Sequence, residues 1–184
     1  MSLTNKLIKP WKSQDQERDK VIKYKSQNTI ITEKGIFKDL SSLSFQCSFG
    51  FENKVIKNEI EKQLKLDLLS YSKFYLQMQE DSASTLLETL NLNGHIFFTL
   101  SGAESIENAL KICRDFSKRK IILSRKKSYH GATLGALQIT GDWRRKVSFM
   151  PRIGHNWLPE PDDDPDFSKS LKVIEKIGPE NIAA

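Results

Sequence analysis

Between His95 and Gly131 the hydrophobic period of the chain changes twice, and that change restricts this stretch to an α/β arrangement. Ile96-Phe97-Phe98-Thr99-Leu100 is a short apolar and β-branched run that predicts a buried strand. Ser101-Gly102-Ala103 breaks the run. After the break, Ile106, Ala109, Leu110 and Cys113 recur at helical spacing, giving one apolar stripe and predicting a helix over 104–116. Glu104 and Glu107 lie in its first turns, and Arg114, Lys118, Arg119 and Lys120 lie at or past its end, the order a helix macrodipole favours. A second strand is predicted at Ile121-Ile122-Leu123-Ser124, leading into Tyr129-His130-Gly131.

A helix that opens just after a strand has unpaired N–H groups pointing outward and favours an anion, commonly a phosphate. In open α/β sheets, ligands sit beyond the carboxyl ends of the strands. Ser101-Gly102-Ala103 and Tyr129-His130-Gly131 both lie just beyond such ends. A phosphate grip and an aromatic ring are thus placed to hold one flat, phosphorylated ligand. A plain βα turn with nothing bound is the alternative reading of Gly102 taken alone.

Several function classes are disfavoured by composition. At 184 residues the chain is about one ordinary domain, and no run of 18 apolar residues is present to suggest a membrane span. The opening residues MSLTNKLIKPWK have no apolar segment of the secretory kind. Cys47 and Cys113 form neither a CxxC pair nor a disulfide framework, which fits reduced thiols in a cytoplasmic protein. The net charge of +6 invites a nucleic-acid reading. The positive residues are scattered, however, and the two short clusters, Lys118-Arg119-Lys120 and Arg125-Lys126-Lys127, read as solvated surface or as anion contacts. No zinc-finger spacing or RNA-binding aromatic motif supports a nucleic-acid partner.

Ser101-Gly102-Ala103-Glu104, Glu107-Asn108-Ala109-Leu110-Lys111 with Arg114, Ser128-Tyr129-His130-Gly131 and Thr140-Gly141 together resemble the class III aminotransferases. These are pyridoxal-phosphate (PLP) enzymes of fold type I. The resemblance runs from about Ile31 onward and implies an incomplete α/β fold of that type. Residues 1–75 are expected to form an N-terminal arm and part of a small domain, and residues 76–184 the first part of the PLP-binding large domain. It also implies PLP as cofactor, a homodimer in the full-length enzyme, and small-molecule amine and oxo-acid substrates.

The resemblance assigns roles residue by residue. Backbone N–H groups of Gly102 and Ala103, helped by the Ser101 hydroxyl, would meet the cofactor phosphate. Tyr129 would stack on the pyridine with its hydroxyl facing the substrate, and Gly131 would leave room for that approach. His130 either hydrogen-bonds near the cofactor or satisfies local backbone. Glu104 would hold the helix start. Leu43, in the Ser41–Phe45 segment, would shape the substrate pocket; ordinary core packing is its other reading. Leu43-Ser44 stands where the biotin-pathway branch carries a Trp pair, which counts against that substrate. The flanking residues look most like the ω-amino acid:pyruvate and taurine:pyruvate branch.

No catalytic residue is expected within the chain itself. In the family, the aspartate that meets the pyridine nitrogen and the Schiff-base lysine both belong beyond Ala184. The expectation is therefore the N-terminal portion of an aminotransferase, inactive alone. A non-catalytic remnant or split subunit that binds a partner chain is the alternative.

The remaining chain reads as follows. Ser13–Lys25 is a possible helix, and Trp11 is a packing anchor or part of a substrate entrance. Thr29–Thr32 and Ile36–Leu40 predict a hairpin about Gly35. Gly50 supplies a turn, and Asn53 caps a helix bearing Ile56, Ile60 and Leu64. Ser70–Gln79 is irregular and aromatic, and Asp81–Leu90 is a helix. Ala132–Thr140 is a short helix lined by Leu134 and Leu137. Met150–Pro165 reads as a long loop because it holds four prolines. Asp162, Asp163, Asp164 and Asp166 in and after it read as solvated rather than metal-binding, having no EF-hand glycine or closing Glu. Asp166–Ile177 is a surface helix, and Asn181–Ala184 begins a further strand by resemblance. The Ser-x-x-Lys matches at Ser117 and Ser124 lack the partner motifs of penicillin-binding enzymes. His95, His130 and His155 have no metal-ligand spacing.

Overall fold

The computed structural model describes residues 11, 21–25, 28–66, 76–149 and 154–184. The chain divides into two compact units, Met1–Leu92 and Asn93–Ala184.

In the first unit β1 (Val21–Lys25), β2 (Thr29–Thr32) and β3 (Gly35–Lys38) form an antiparallel sheet in that order. The expected hairpin is β2–β3. Thr32 pairs with Gly35 across the turn residues Glu33-Lys34, and Gly35 takes a φ of +144°. The helix expected over Ser13–Lys25 fails at its C-terminal end, because Val21–Lys25 is β1, paired antiparallel to β2. A β-branched Val21-Ile22 start beside a strand only a few residues on favours the ladder over a short isolated helix. The rest of that expectation, residues 13–20, lies outside the described residues.

Ser42–Phe45 forms α1, a single turn whose four residues all have positive φ, between 47° and 70°. L-residues resist that conformation by roughly 1–2 kcal/mol each. Asp39 holds the turn in place. Its carboxylate accepts from Ser41 N and Ser41 Oγ, both at 2.9 Å, and from Leu43 N at 2.8 Å. Desolvation pushes the Asp39 carboxyl up, but these hydrogen bonds outweigh it and hold the group below its ordinary range.

After the Gly50 turn, α2 (Lys54–Leu64) is capped as expected: the Asn53 side chain accepts from Ile56 N at 3.1 Å. Ile56, Ile60 and Leu64 share one face of α2, and all three are exposed. α3 (Gln77–Leu90) ends on Asn91 in the left-handed conformation. The aromatic segment expected to be irregular over Ser70–Gln79 is helical from Gln77; its residues 70–75 lie outside the described set.

The second unit contains α4 (Gly102–Ser117), β4 (Ile122–Arg125), α5 (Leu134–Ile139), α6 (Trp143–Lys146), β5 (His155–Leu158) and α7 (Ser168–Ile177). β4 lies between two parallel neighbours. On one side it pairs with β5, from Ile122↔His155 to Arg125↔Leu158. On the other, Ile121 bridges Ile182, Ala183 N donates to Ile121 O at 2.7 Å, and Leu123 N donates to Ala184 O at 2.8 Å. Leu110 of α4, Ile122 of β4 and Ile139 of α5 form the buried core, with Ile106 and Ala183 packed on it.

Four expectations are corrected in this unit. Ile96–Leu100 forms no strand among the described residues, and Phe97, Phe98 and Leu100 are exposed. An apolar β-branched run becomes a strand only when another backbone offers a ladder, and none does among the described residues. The Met150–Pro165 loop contains β5, since its prolines flank His155–Leu158 rather than interrupt it. Leu134 points to solvent, while Ala136, Leu137, Gln138 and Ile139 are the buried residues of α5. Asp164 is not solvated. It is only 1% exposed, and it accepts from Lys169 N and Ser170 N at 2.8 Å and from Ser170 Oγ at 2.5 Å, anchoring the start of α7. Desolvation raises the Asp164 carboxyl, and the bonds from Ser170 and Lys169 more than reverse this.

Candidate functional site

The opening of α4 is built by its own first residues. Ser101 is the N-cap, and its Oγ accepts from Glu104 N at 3.2 Å, which leaves the hydroxyl proton free to donate. Glu104 reaches back, its Oε2 accepting from Leu100 N at 2.9 Å, so it holds the helix start as expected. Ser105 N is taken by Ser101 O at 3.0 Å. Gly102 N and Ala103 N are the first two helical N–H groups, which have no acceptor within the helix itself. A Cβ built on Gly102 would meet nothing within 4 Å, so the space beside this opening is clear. Backbone N–H groups, a hydroxyl proton and the positive end of the dipole can together receive an anion there.

The segment carrying Tyr129 is brought to this opening by a close backbone approach. A Cβ on Gly131 would lie 2.7 Å from Ala103 Cβ and 2.9 Å from Ala103 Cα, and Gly131 takes φ +136°. The sequence assigns the small size of Gly131 to the approach of a ligand ring. In the structure the missing side chain makes room for the first turn of α4, and the glycine joins the two halves of the site.

Three further contacts fix this segment. Glu107 Oε1 accepts from Gly135 N at 2.7 Å and from Ala136 N at 3.2 Å, tying the start of α5 to α4. Desolvation pushes the Glu107 carboxyl up, and bonds from Thr133, Ala136 and Gly135 together with the Arg114 charge bring it below its ordinary range. Thr140, fully buried, accepts from His130 N at 3.0 Å and donates to Ala136 O at 2.9 Å. Gly141 N donates to Ser128 O at 2.9 Å. The Glu107 and Thr140-Gly141 motifs of the sequence thus act as braces for the Tyr129 loop.

Tyr129 is 46% exposed, and the Arg144 guanidinium lies 4.2 Å from its ring centroid. Asp142 steers that guanidinium by pairing with Arg144 Nη1 and capping α6 through Arg144 N at 2.9 Å. Arg144 was not singled out for this role by sequence; only a stacking position two elements away reveals it. His130 Nε2 is buried without a partner among the described residues, so through that atom the ring does not satisfy local backbone. Burial lowers the His130 pKa.

His155 opens β5, opposite Ile122 of β4. Its Nε2 is 2.8 Å from Ser124 Oγ, and Ser124 Oγ donates to Ile139 O at 2.7 Å. The single Ser124 proton is therefore engaged, and His155 donates from a protonated Nε2. Burial first, then the Arg145 and His130 charges, lower the His155 pKa to about 4.

Ser101, Gly102, Ala103, Tyr129 and His130 therefore fall within one unit, around the Gly131–Ala103 contact. Leu43 belongs to the first unit. It is half-buried in the left-handed turn, its N–H held by Asp39. Among the described residues no group of three metal-ligating side chains gathers, and no helix is long and apolar enough to cross a membrane.

The family model described as Aminotransferase class-III matches residues 14–184. Acetylornithine aminotransferase of Bacillus anthracis is 30% identical over 139 residues, 75% of this chain and 34% of the relative. The uncharacterized aminotransferase YhxA of Bacillus subtilis is 33% identical over 180 residues, 88% of this chain and 39% of the relative. Among solved structures, taurine:2-oxoglutarate aminotransferase from Bifidobacterium kashiwanohense, in complex with PLP and glutamate, superposes with a TM-score of 0.85 at 25% identity. That match covers 96% of this chain and 44% of the other. An S-selective transaminase from Arthrobacter sp. superposes with a TM-score of 0.83 at 20% identity, over 97% and 44% of the two chains. The chain thus spans well under half the length of these relatives.

Proposed function

The chain belongs to the class III aminotransferases, and from that premise we propose that its second unit supplies the phosphate seat and ring platform for pyridoxal phosphate. The fold, part of PLP-dependent fold type I, and the cofactor follow from membership. The observation supporting the site assignment is the contact of Gly131 with Ala103, which brings the chain two residues from Tyr129 against the α4 opening. The residues present fit the group. Clear space lies beside Gly102, and the N–H groups of Gly102 and Ala103 stand at the helix opening. A buried ring nitrogen at His130 also lacks a partner.

When bound, PLP supplies the electron sink for amino transfer. Gly102 N, Ala103 N and the Ser101 hydroxyl hold its phosphate. Tyr129 offers one ring face to the pyridine, since Arg144 occupies the other. The Tyr129 hydroxyl faces the reacting amine.

The reaction moves an amino group from an amine or ω-amino acid to an oxo acid such as pyruvate. Support comes from the names of the relatives. Taurine and acetylornithine both carry a primary amine remote from their acid group. The full-length enzyme is a cytoplasmic homodimer. Residues 1–184 alone complete no transfer, because the lysine and pyridine-facing aspartate required by the resemblance are not among them.

Gly102→Pro tests the seat. Proline suits the first helical position, and Ser101 already has the extended conformation (φ −154°, ψ 157°) that a following proline demands. The substitution removes one N–H and should leave α4 intact. Binding of PLP to the 184-residue chain, followed by equilibrium dialysis with inorganic phosphate as competitor, should weaken about tenfold. Unchanged binding in Gly102→Pro and in Tyr129→Ala would refute the assignment. Stoichiometric borohydride labelling of one lysine would refute the claim that the chain is catalytically incomplete.

A further inference from the structure

We propose that the cleft between the Lys126-Lys127 turn and α6 binds a small, multiply charged oxyanion of the diphosphate class. This goes beyond the cofactor reading and uses different residues. The cleft has a volume of about 490 Å³ and is lined by Lys126, Lys127, Gly141, Arg145, Lys146 and Trp157. Such a volume suits a small molecule rather than a polymer.

Four of its six lining residues are cations, and none is an acid. Among the described residues none of the four forms an ion pair. Glu160 and Asp163 line a neighbouring cleft that shares Lys126 and Trp157. Glu160 Oε1 accepts from the backbone N of Lys127 at 3.0 Å. Four like charges not held in ion pairs thus line one concavity, with Glu160 at the turn's backbone, and a multivalent anion relieves their mutual repulsion.

The backbone beneath the charges is fixed. A Cβ on Gly141 would lie 2.4 Å from Lys126 Cα and 2.5 Å from Arg125 O, so the Lys126 turn and the approach to α6 are in direct contact. Ser128 N donates to Arg125 O at 3.2 Å and closes the turn. Arg145 is held from below, its Nε donating to Gln138 O at 3.1 Å and its guanidinium 5.5 Å from the Trp157 ring centroid. A concavity whose walls are already ordered loses less freedom when the anion enters. A diphosphate presents enough oxygens for three ammonium groups and a guanidinium at once.

Trp157 is a built-in reporter. The 184-residue chain is titrated with inorganic pyrophosphate at constant ionic strength, following tryptophan emission and the thermal midpoint. Emission should change saturably, the change should vanish in Trp157→Phe, and the midpoint should rise. In the Lys127→Gln/Lys146→Gln double variant the apparent affinity should fall by about tenfold or more. The proposal is overturned if pyrophosphate gives no response, if sodium chloride of equal ionic strength reproduces it, or if the double variant responds like the parent. A response that survives in the double variant but is lost in Gly102→Pro would place the anion at α4 and equally overturn it.

Discussion

Gly131 and Ala103 touch so closely that a single added methyl group would come within 2.7 Å of the Ala103 side chain. Residues 28 positions apart are thereby locked, and the loop bearing Tyr129 takes its position from the first turn of α4. Gly131→Ala combines this overlap with a φ of +136° that alanine resists. Its expected cost is about 2–4 kcal/mol of unfolding free energy. Chemical denaturation should show the loss, and PLP affinity should fall with it as Tyr129 moves away from the α4 opening.

Glu107 holds the same junction from the helix side. Glu107→Ala leaves Gly135 N and Ala136 N without their acceptor, at an expected cost of about 1–3 kcal/mol. Glu107→Gln, which keeps one carbonyl oxygen, should recover about half of that. A denaturation series of the three chains checks the order.

Thr140→Val keeps the shape of a fully buried side chain and deletes its hydroxyl. His130 N then loses its acceptor, for an expected loss of about 1–2 kcal/mol. Amide exchange at His130 should quicken more than exchange in the α4 core.

Acid should act on this protein in two stages. His155 has a folded pKa of about 4, below its ordinary 6.5, so the unfolded chain takes up a proton first. The stability contributed by neutral His155 is fully present above about pH 6.5 and is lost as pH falls toward 4; burial of His130 acts in the same direction. Asp39, Glu107 and Asp164 have lowered pKa values, so their contributions fade only below the ordinary carboxylate range. His155→Gln should flatten the first stage and leave the second, as read from denaturation midpoints across pH.

Phe97, Phe98, Leu100 and Phe116 of the second unit are exposed, which predicts concentration-dependent self-association of the 184-residue chain. Sedimentation velocity should detect it, and Phe97→Ser with Phe98→Ser should reduce it.

Local signals in the sequence were sufficient wherever a single element decided its own structure. The apolar stripe and charge order of α4, the Asn53 cap and the Gly35 hairpin all depend on near neighbours, and all stand as expected. Elements that need a distant partner were read less evenly: β4 was placed correctly, but two other segments were not. Ile96–Leu100 has strand chemistry but no adjoining ladder among the described residues, whereas His155–Leu158, hidden among prolines, finds one beside β4. The site shows the same division. Ser101, Gly102 and Tyr129 could be singled out from motif and spacing. The Arg144 stack on Tyr129 could not, because it depends on how α6 folds back. Glu107, placed by sequence in a dipole and a motif, turned out to brace α5.

The two neighbours of β4 have a consequence for how this protein is made. The central strand leaves the ribosome first, while the segments that flank it follow roughly thirty and sixty residues later. For that interval the nascent polypeptide holds a β-lined helix pair with both lateral edges bare. A translational pause or a holding chaperone would have its greatest effect between the synthesis of Arg125 and that of Ala184.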